Sequence, residues 1–518
     1  MRGARPALAT LLLAGLGVLA NPQPASAGIS TFTVTTTVDG ARVVGSLRWA
    51  LTQSEQVDDG IVSIVLQPGA TYVLDRCNAL SEDIGATGDL DVDNEALLDI
   101  HGNGATIRQT CAGERVLHAT GSSDLVTDDL VVTGGDAEPD ANQPDPQGGG
   151  ILAGEVTLRH TVIEGNASTG SGGGLRADKV ALASSVVRGN TSGGNGGGVA
   201  SVGNVLVNQS RVTGNTAAEG GGIAAGIGNI SLNTSIVADN AETTPGVGTA
   251  DGVELDVFTG VVSLLHTTVR GGNGDGPAIR GNATLSASVV SQGQADAACG
   301  VGEDNSVGQN VDDDGTCDLD QLTDQPDVAD VGLGPDLLPL ADSVLRDHEV
   351  DCIPLVDQRG VRRPQGPGCE IGALELDHHP DGELRRTGTA RFVGNDVFNA
   401  AGVNQTVNVT VGRAPAKVDL RVQNDGDLPD AFSVLGPASN RQFTVRYLQG
   451  TNDVTPQVVA GTFSTAALAP GARSPVLTMV VGRRPTTPAG AVRNLPVTFT
   501  SSLDADRRDV VLPKARRS

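Results

Sequence analysis

Residues 148–190 have the sequence GGGILAGEVTLRHTVIEGNASTGSGGGLRADKVALASSVVRGN, which contains two copies of one unit. A Gly-Gly-Gly triplet followed by an aliphatic residue recurs with a spacing of 24 residues, its third glycines being Gly150, Gly174, Gly198 and Gly222. A second marker, an asparagine after Gly or Asp, recurs at Asn166, Asn190, Asn215 and Asn240. Two independent markers, spaced 24 residues apart for the triplets and 24–25 for the asparagines, indicate a structural unit stacked on copies of itself.

The runs between the markers predict β-structure. They are short and aliphatic, as in Val156-Thr157-Leu158 and Val180-Ala181-Leu182, and none has the apolar spacing of a helix. A unit of about 24 residues with three short strands forms one coil of a parallel β-helix, with coils about 4.8 Å apart. The asparagine column then has two interpretations, a ladder that holds the turns or a row of ligand-binding side chains.

Coils are also expected on both sides of the regular repeat. Val131-Val132-Thr133 predicts an earlier coil, and Thr267-Thr268-Val269 and Ser288-Val289-Val290 predict later ones. The polar stretch 136–147 is expected to be an insertion, and insertions on such scaffolds commonly carry the binding surface.

The N-terminus and the charge distribution predict an exported protein of two domains. Residues 1–27 have a basic start, an apolar run and Ala25-Ser26-Ala27, the pattern of a signal peptide cleaved after Ala27, and no later run reaches transmembrane length. The segment 385–518 has 17 basic and 9 acidic residues, a net charge of +8, whereas 28–384 carries −36. A long acidic β-helix repels phosphate, so nucleic acid is not an expected partner.

The six cysteines predict disulfides, because an even number in an exported chain is typical of them and no Cys-x-x-Cys motif or nearby His supports a metal site. Proximity in sequence favours the pairs Cys77–Cys111, Cys299–Cys317 and Cys352–Cys369.

A short helix is predicted to cap the first coil. Gly45-Ser46-Leu47-Arg48-Trp49-Ala50-Leu51 has Ser46 as its N-cap and places Leu47 and Leu51 on one face. With Thr33-Val34-Thr35 before it, this segment resembles the N-terminal Ser-Leu-Arg-Glu-Ala element of bacterial secreted β-helix proteins. Trp49 replaces the glutamate that would complete a capping box with Ser46.

Residues 306–375 carry a second resemblance. Ser306-Val307-Gly308-Gln309-Asn310, Asp357-Gln358-Arg359-Gly360, Arg363-Pro364-Gln365-Gly366 and Cys369-Glu370-Ile371-Gly372-Ala373-Leu374-Glu375 resemble the choice-of-anchor Q region. That region closes right-handed parallel β-helices in bacterial surface and exported proteins. The resemblance implies this fold over roughly residues 30–376, export and a further domain after it, and it implies no shared catalytic activity.

The C-terminal part alternates polar and apolar residues, as in Val407-Asn408-Val409-Thr410-Val411, which predicts an antiparallel sandwich. It resembles the immunoglobulin-like appendages of bacterial exported proteins. The expected fold class is therefore all-β: a right-handed parallel β-helix at 28–376, a linker at 377–390, and an immunoglobulin-like antiparallel β-sandwich at 391–518.

Candidate site residues are few. Hydrolases on β-helices use closely set aspartates, for which Asp128 and Asp129 are the nearest candidates, with Asp124 and Asp136 nearby; the alternative is a solvated acidic face. His160 and His266 have no acidic partner evident in the sequence. Asp312, Asp313 and Asp314 have two interpretations, a Ca²⁺ site or an ordinary acidic loop, and no other cofactor is expected.

The preferred functional interpretation is an exported, non-catalytic, surface-associated or extracellular β-helix protein of structural or adhesive type. Its expected partner is a polymer of the cell envelope or extracellular space, with a polysaccharide among the candidates. Aromatic residues make up only 2% of the chain, so a stacking platform for sugars is not expected. The alternative is an extracellular polysaccharide-degrading enzyme, either a hydrolase or a lyase. Oligomeric state and anchoring mode cannot be inferred from the sequence.

Overall fold

The computed structural model describes residues 28–518 apart from 58–59, 78–85, 94–95, 121–123, 140–145, 244–253, 275, 301–304 and 349–351. The predicted signal peptide at 1–27 lies outside the described residues, as does the middle of the predicted insertion at 136–147. No helix in the described part of the chain is long and apolar enough to cross a membrane.

The first half of the protein is a parallel β-helix, as predicted. Its elements are β1 (Ile29–Thr33), α1 (Leu47–Ser54), β2 (Ile61–Val65), β3 (Thr71–Leu74), β4 (Leu90–Asp93), β5 (Leu97–Gln109), β6 (Leu117–Thr120), β7 (Asp124–Thr133), β8 (Asp136–Ala137), β9 (Ile151–Leu152), β10 (Glu155–Arg159), β11 (Val162–Glu164), β12 (Ala167–Ser168), β13 (Leu175–Ala177), β14 (Lys179–Ala183), β15 (Val186–Arg188), β16 (Thr191–Ser192), β17 (Val199–Ser201), β18 (Val205–Asn208), β19 (Arg211–Thr213), β20 (Thr216–Ala217), β21 (Ile223–Ala225), β22 (Ile230–Asn233), β23 (Ile236–Ala238), β24 (Ala241–Glu242), β25 (Leu255–Leu265), β26 (Thr268–Arg270), β27 (Pro277–Ser286), β28 (Val289–Ser291), β29 (Ala297–Cys299), β30 (Asn305–Gly308) and β31 (Val311–Asp312).

The 24-residue period sets the register between coils. Val156 of β10 pairs with Val180 of β14, and Leu158 pairs with Leu182. All four side chains are buried, so each coil contributes aliphatic side chains to continuous columns in the core. A regular coil has four strands rather than the expected three, because Asn166 separates β11 from the two-residue strand β12.

The predicted cap covers the first coils. Ser46 Oγ accepts a hydrogen bond from Trp49 N at 3.1 Å, which confirms Ser46 as the N-cap of α1. Leu47 and Leu51 enter the core of the β-helix, and Trp49 packs against it. The helix therefore covers an edge that would otherwise be open to other strands.

Residues 313–328 continue onto the last coil, where Gln325 bridges Val311 in parallel and Leu319 enters the core, whereas the described residues of 329–376 lie along the side of the β-helix. Leu337 and Leu374 pack on Ile236 of β23, and Ile371 packs on Val289 of β28. The three disulfides predicted from sequence proximity are present, joining Cys77 to Cys111, Cys299 to Cys317 and Cys352 to Cys369.

The C-terminal part is a two-sheet sandwich. Its elements are β32 (Pro380–Arg386), β33 (Thr406–Val411), β34 (Ala416–Asn424), β35 (Phe432–Leu435), β36 (Phe443–Gln449), β37 (Asn452–Asp453), α2 (Thr455–Ala460), β38 (Phe463–Ser464), β39 (Leu477–Arg483), β40 (Val492–Asn494), β41 (Val497–Ser501) and β42 (Arg508–Arg517). One sheet has the order β32-β34-β39-β36-β37 and the other β33-β42-β41-β35-β38, with β40 beside β42. Side chains of both sheets, including Leu420, Met479, Phe432 and Phe499, form one core.

Two features of the sandwich differ from expectation. The predicted linker at 377–390 contains β32, which pairs antiparallel with β34 over its whole length. Pro380–Arg386 does not alternate polar and apolar residues: its first five residues are all buried, and Glu383 is buried in an ion pair with Arg421 at 2.7 Å. In addition, β33 and β42 pair in parallel, so the sandwich is not purely antiparallel.

Candidate functional site

The asparagine column is a buried ladder. Asn190 Oδ1 accepts from Asn166 N at 3.0 Å, and Asn190 Nδ2 donates to Ile163 O at 3.0 Å and to Asn215 Oδ1 at 2.9 Å. The same contacts repeat at Asn215 and Asn240, and all four asparagines are at most 2% exposed. These side chains hold the turns and offer no surface to a ligand.

The glycine triplets serve the same ladder. A Cβ on Gly174 would lie 2.6 Å from Gly198 O and 3.0 Å from Asn190 Nδ2, so only glycine fits beside the asparagine. The ladder ends where both nitrogens of Asn240 donate to the carboxylate of Glu254. Complete burial raises the pKa of Glu254 well above its usual range.

Asp128 lies on the exposed outer face of the long sheet. It stacks between His101 of β5 and Arg159 of β10, and His160 Nδ1 lies 2.9 Å from Asp128 Oδ1. The fold therefore gives His160 the acidic partner that the sequence did not reveal. His101 Nε2 lies 3.3 Å from Asp99 Oδ2 on the same strand.

Asp129 has a different position from Asp128. It adopts a left-handed conformation, with φ +52°, at the bend within β7, and the equivalent residues His160, Ser184 and Gln209 also have positive φ. Of the two adjacent candidates, Asp128 therefore lies on the outer face of the sheet and Asp129 lies at a bend of the chain. Asp124, the first residue of β7, pairs with Glu155 of β10. Burial and the Glu155 charge raise the pKa of Asp124.

Acidic and basic side chains of successive coils form pairs; in four of them both side chains are exposed or partly exposed, and in the other two the carboxylate, Asp91 or Asp256, is buried. In each pair the acid lies on one coil and the base on the next: Asp91–His118, Asp128–His160, Glu155–Lys179, Glu164–Arg188, Asp239–Arg270 and Asp256–Arg280. A hydrolase or lyase needs a base or acid that faces its substrate. Each of these six bases is engaged by a carboxylate of the neighbouring coil.

A groove of about 580 Å³ runs over several of these coils. Thr133, Thr213 and Gly189 line it, together with the Glu164–Arg188 pair. Among the described residues, those that line the groove carry no aromatic ring.

The candidate calcium ligands Asp312, Asp313 and Asp314 bind the protein itself. Asp312 accepts from Asp327 N at 2.8 Å and from Cys317 N at 3.0 Å. Asp313 accepts from Gln292 N at 2.8 Å, and Asp314 accepts from Ala298 N at 2.9 Å. Because their oxygens fix the last coils, this arrangement supports a structural role for the acidic loop.

A buried acidic cluster lies on β4 and β6, where sequence reasoning found no site. Asp91 Oδ1 is 3.1 Å from His118 Nδ1, and one ligand atom each of Asp89, Asp91 and His118 lie within 4.8 Å of one another. Burial, reinforced by Asp91, raises the pKa of Asp89 to about 7, while Arg115 and His118 oppose that rise.

The motif residues at 357–375 form a buried network. The carboxylate of Asp357 accepts from Val361 N at 2.8 Å and from Glu375 N at 3.0 Å. Arg363 donates to Glu370 O at 3.0 Å and to Gly372 O at 2.7 Å, and its Nη1 lies 2.8 Å from His266 Nδ1. This network attaches residues 357–375 to the coils, so a structural role accounts for the residues of this long motif.

One end of the sandwich concentrates positive charge. Backbone and side-chain hydrogen bonds join the segments there: Arg483 Nε donates to Gly412 O, Arg484 Nε to Asn440 O, and Arg493 Nη2 to Ala438 O. Arg517 pairs with Val411 across β33 and β42. We call this region the basic end, defined by Arg413, Arg441, Arg483, Arg484, Arg493, Arg516 and Arg517.

The basic end and the acidic turn at Asp425 and Asp427 lie at opposite ends of strand β34. The segments of the basic end, 411–413, 438–442, 483–493 and 514–518, contain no acidic residue. Strand β34 runs from Ala416 at this end to Asn424 at the other, where Asp425 and Asp427 follow. Asp427 binds Arg359 at 3.0 Å, so the acidic end faces the β-helix and the basic end points away from it.

No family model matches the chain, and no curated protein matches it. The chain is similar to the crystal structure of pectate lyase Pel9A, with 13% identity and a TM-score of 0.37 over 67% of this chain and 96% of that chain.

Proposed function

We propose that this protein is an exported, non-catalytic β-helix scaffold that attaches to an acidic extracellular polysaccharide through its basic end. The observation that carries the proposal is the gathering of seven arginines with no acidic residue between them. Arg413, Arg441, Arg484 and Arg516 are exposed, so several guanidinium groups can meet a polymer that repeats its carboxylates.

The charge distribution favours this orientation. The acidic β-helix repels a polyanion, and the basic end is the part of the sandwich most distant from it. A polyanion would therefore be steered to the tip of the molecule, leaving the β-helix extended away from the attachment point.

Export is supported by three observations. Residues 1–27 have the pattern of a signal peptide, and three disulfides are typical of an oxidising compartment. The resemblance to the choice-of-anchor Q region and to immunoglobulin-like appendages also agrees with an exported protein. The non-catalytic part of the proposal rests on the ion pairs that engage the outer-face bases.

The test compares two variants with equal loss of charge. Arg413→Gln/Arg441→Gln/Arg516→Gln neutralises the basic end, and Arg391→Gln/Arg446→Gln/Arg508→Gln neutralises three exposed arginines elsewhere on the sandwich. At roughly 0.5 kcal/mol for each exposed contact, the first variant should bind polygalacturonate about tenfold more weakly. The second should bind like wild type, and neither should bind neutral dextran. Equal weakening in both variants would contradict attachment through the basic end.

The alternative, a polysaccharide-degrading enzyme, is favoured by the exposed carboxylates and histidines near Asp128. Mature protein is incubated with neutral and acidic polysaccharides, with and without Ca²⁺, while new reducing ends and unsaturated products are measured. We expect no cleavage. Cleavage that disappears in Asp128→Asn or Asp129→Asn would establish the enzymatic alternative and locate its site.

A further inference from the structure

Three aspartates from separate segments meet at the acidic end of the sandwich. Asp381 belongs to β32, Asp396 to the loop before β33, and Asp425 to the turn after β34. One carboxylate oxygen from each lies within 4.8 Å of the other two.

Asp381 is the unusual member of this cluster. Its side chain is completely buried, with 0% exposure of the residue. Its Oδ2 accepts from Asp396 N at 3.1 Å, whereas its Oδ1 has no hydrogen-bond partner in the described part of the protein. A buried carboxylate oxygen without a donor is costly, which indicates that a positive ligand is missing from its surroundings.

The neighbouring bases do not fill that role. Arg473 Nε donates to Glu383 at 2.7 Å, and its Nη2 donates to Asn395 at 2.7 Å. His379 pairs with Asp377 at 2.7 Å, and Arg421 pairs with Glu383. The bases around the cluster are thus held by other acceptors.

The electrostatics of the cluster agree with a missing cation. Burial, opposed by the Asp396 N–H and reinforced by the charges of Asp425, Asp509 and Glu383, raises the pKa of Asp381 to about 7. The pKa of Asp425 is also raised, by burial and by Asp396, with His379 and Arg473 opposing.

We propose that Asp381, Asp396 and Asp425 bind one Ca²⁺ ion that joins β32, the loop before β33 and the turn after β34. An all-oxygen donor set suits a hard cation, and oxygens bound to one Ca²⁺ at roughly 2.4 Å lie at most about 4.8 Å apart. The ion lies at the end of the sandwich opposite to the basic end, so the two proposals can fail independently.

The test uses the full mature chain after removal of divalent ions. Isothermal titration with Ca²⁺ counts the bound ions, with Mg²⁺ as the competitor. Wild type should bind one more Ca²⁺ than Asp381→Asn, and Asp425→Asn should show the same loss. Asp506→Asn, an exposed aspartate of the same domain with no part in the cluster, should retain the wild-type number.

Hydrogen exchange localises the effect. Ca²⁺ should slow exchange in peptides that cover 392–399 and 421–428 of wild type and not of Asp381→Asn. Since Asp381→Asn removes a buried charge without changing shape, its melting temperature in EDTA should equal or exceed that of wild type, which shows that it is folded. Equal Ca²⁺ numbers in wild type and both cluster variants, or unchanged exchange in the two peptides, would overturn the proposal in favour of a proton shared by the cluster.

Discussion

The asparagine ladder gives the sharpest prediction for stability. In Asn190→Ala four side-chain hydrogen bonds disappear: two accepted from Asn166, at 3.0 Å each, and two donated to Ile163 O and Asn215 Oδ1. Asn190 is 0% exposed, so water cannot replace them. Leaving buried groups such as Asn166 N–H without a partner costs roughly 1–3 kcal/mol each, and we expect the free energy of unfolding to fall by about 3–5 kcal/mol.

The matched control is Asn208→Ala. Asn208 lies on a neighbouring coil and is only partly buried, and we expect a change below about 0.5 kcal/mol. Urea denaturation followed by circular dichroism measures the global change, and hydrogen exchange of residues 160–170 and 186–195 shows whether the loss is local to the ladder. Since stacked repeats can open separately, both readouts are needed. An Asn190→Ala variant within about 1 kcal/mol of wild type would refute the inference that the ladder holds the turns.

Three further predictions concern other parts of the β-helix. The folded pKa of Asp89 is raised from 3.8 to about 7, so its proton stabilises the fold at low pH and that contribution is lost as pH rises from about 4 to 7. Relative to Asp89→Asn, the free energy of unfolding of wild type should fall by about 4 kcal/mol across this window. Parallel pH profiles of the two proteins would contradict the assignment. Replacing both Cys77 and Cys111 by Ser opens a cross-link with a sequence separation of 34. The free energy of unfolding, measured by denaturant titration without reductant, should be about 4 kcal/mol lower than that of wild type. Equal values for the two proteins would contradict a stabilising role of this disulfide. Asp128→Asn breaks an exposed contact with His160, so stability should change by less than about 1 kcal/mol and polygalacturonate retention should be unaffected; loss of retention would place binding on the β-helix.

Much of the fold was predictable because the same short sequence pattern recurs in each coil. The 24-residue period, the asparagine column and the aliphatic runs each required stacked coils, and the structure has that register. The Ser46 cap and the three disulfides were predictable for a related reason, since each depends on residues close in sequence or on a local signal. The immunoglobulin-like interpretation of the sandwich stays a prediction.

The contacts that decide function were not predictable in this way. Asp128 meets His160 because they occupy adjacent coils, 32 residues apart in sequence, and the basic end gathers arginines from four separate segments. Asp381, Asp396 and Asp425 likewise come from a strand and two loops whose positions depend on the whole sandwich. The sequence by itself determined the stacked architecture, because a short period repeats the same local and nearest-neighbour preferences. Only the tertiary structure decided which charges are paired and which face solvent or one another, because those distances follow from how distant segments pack.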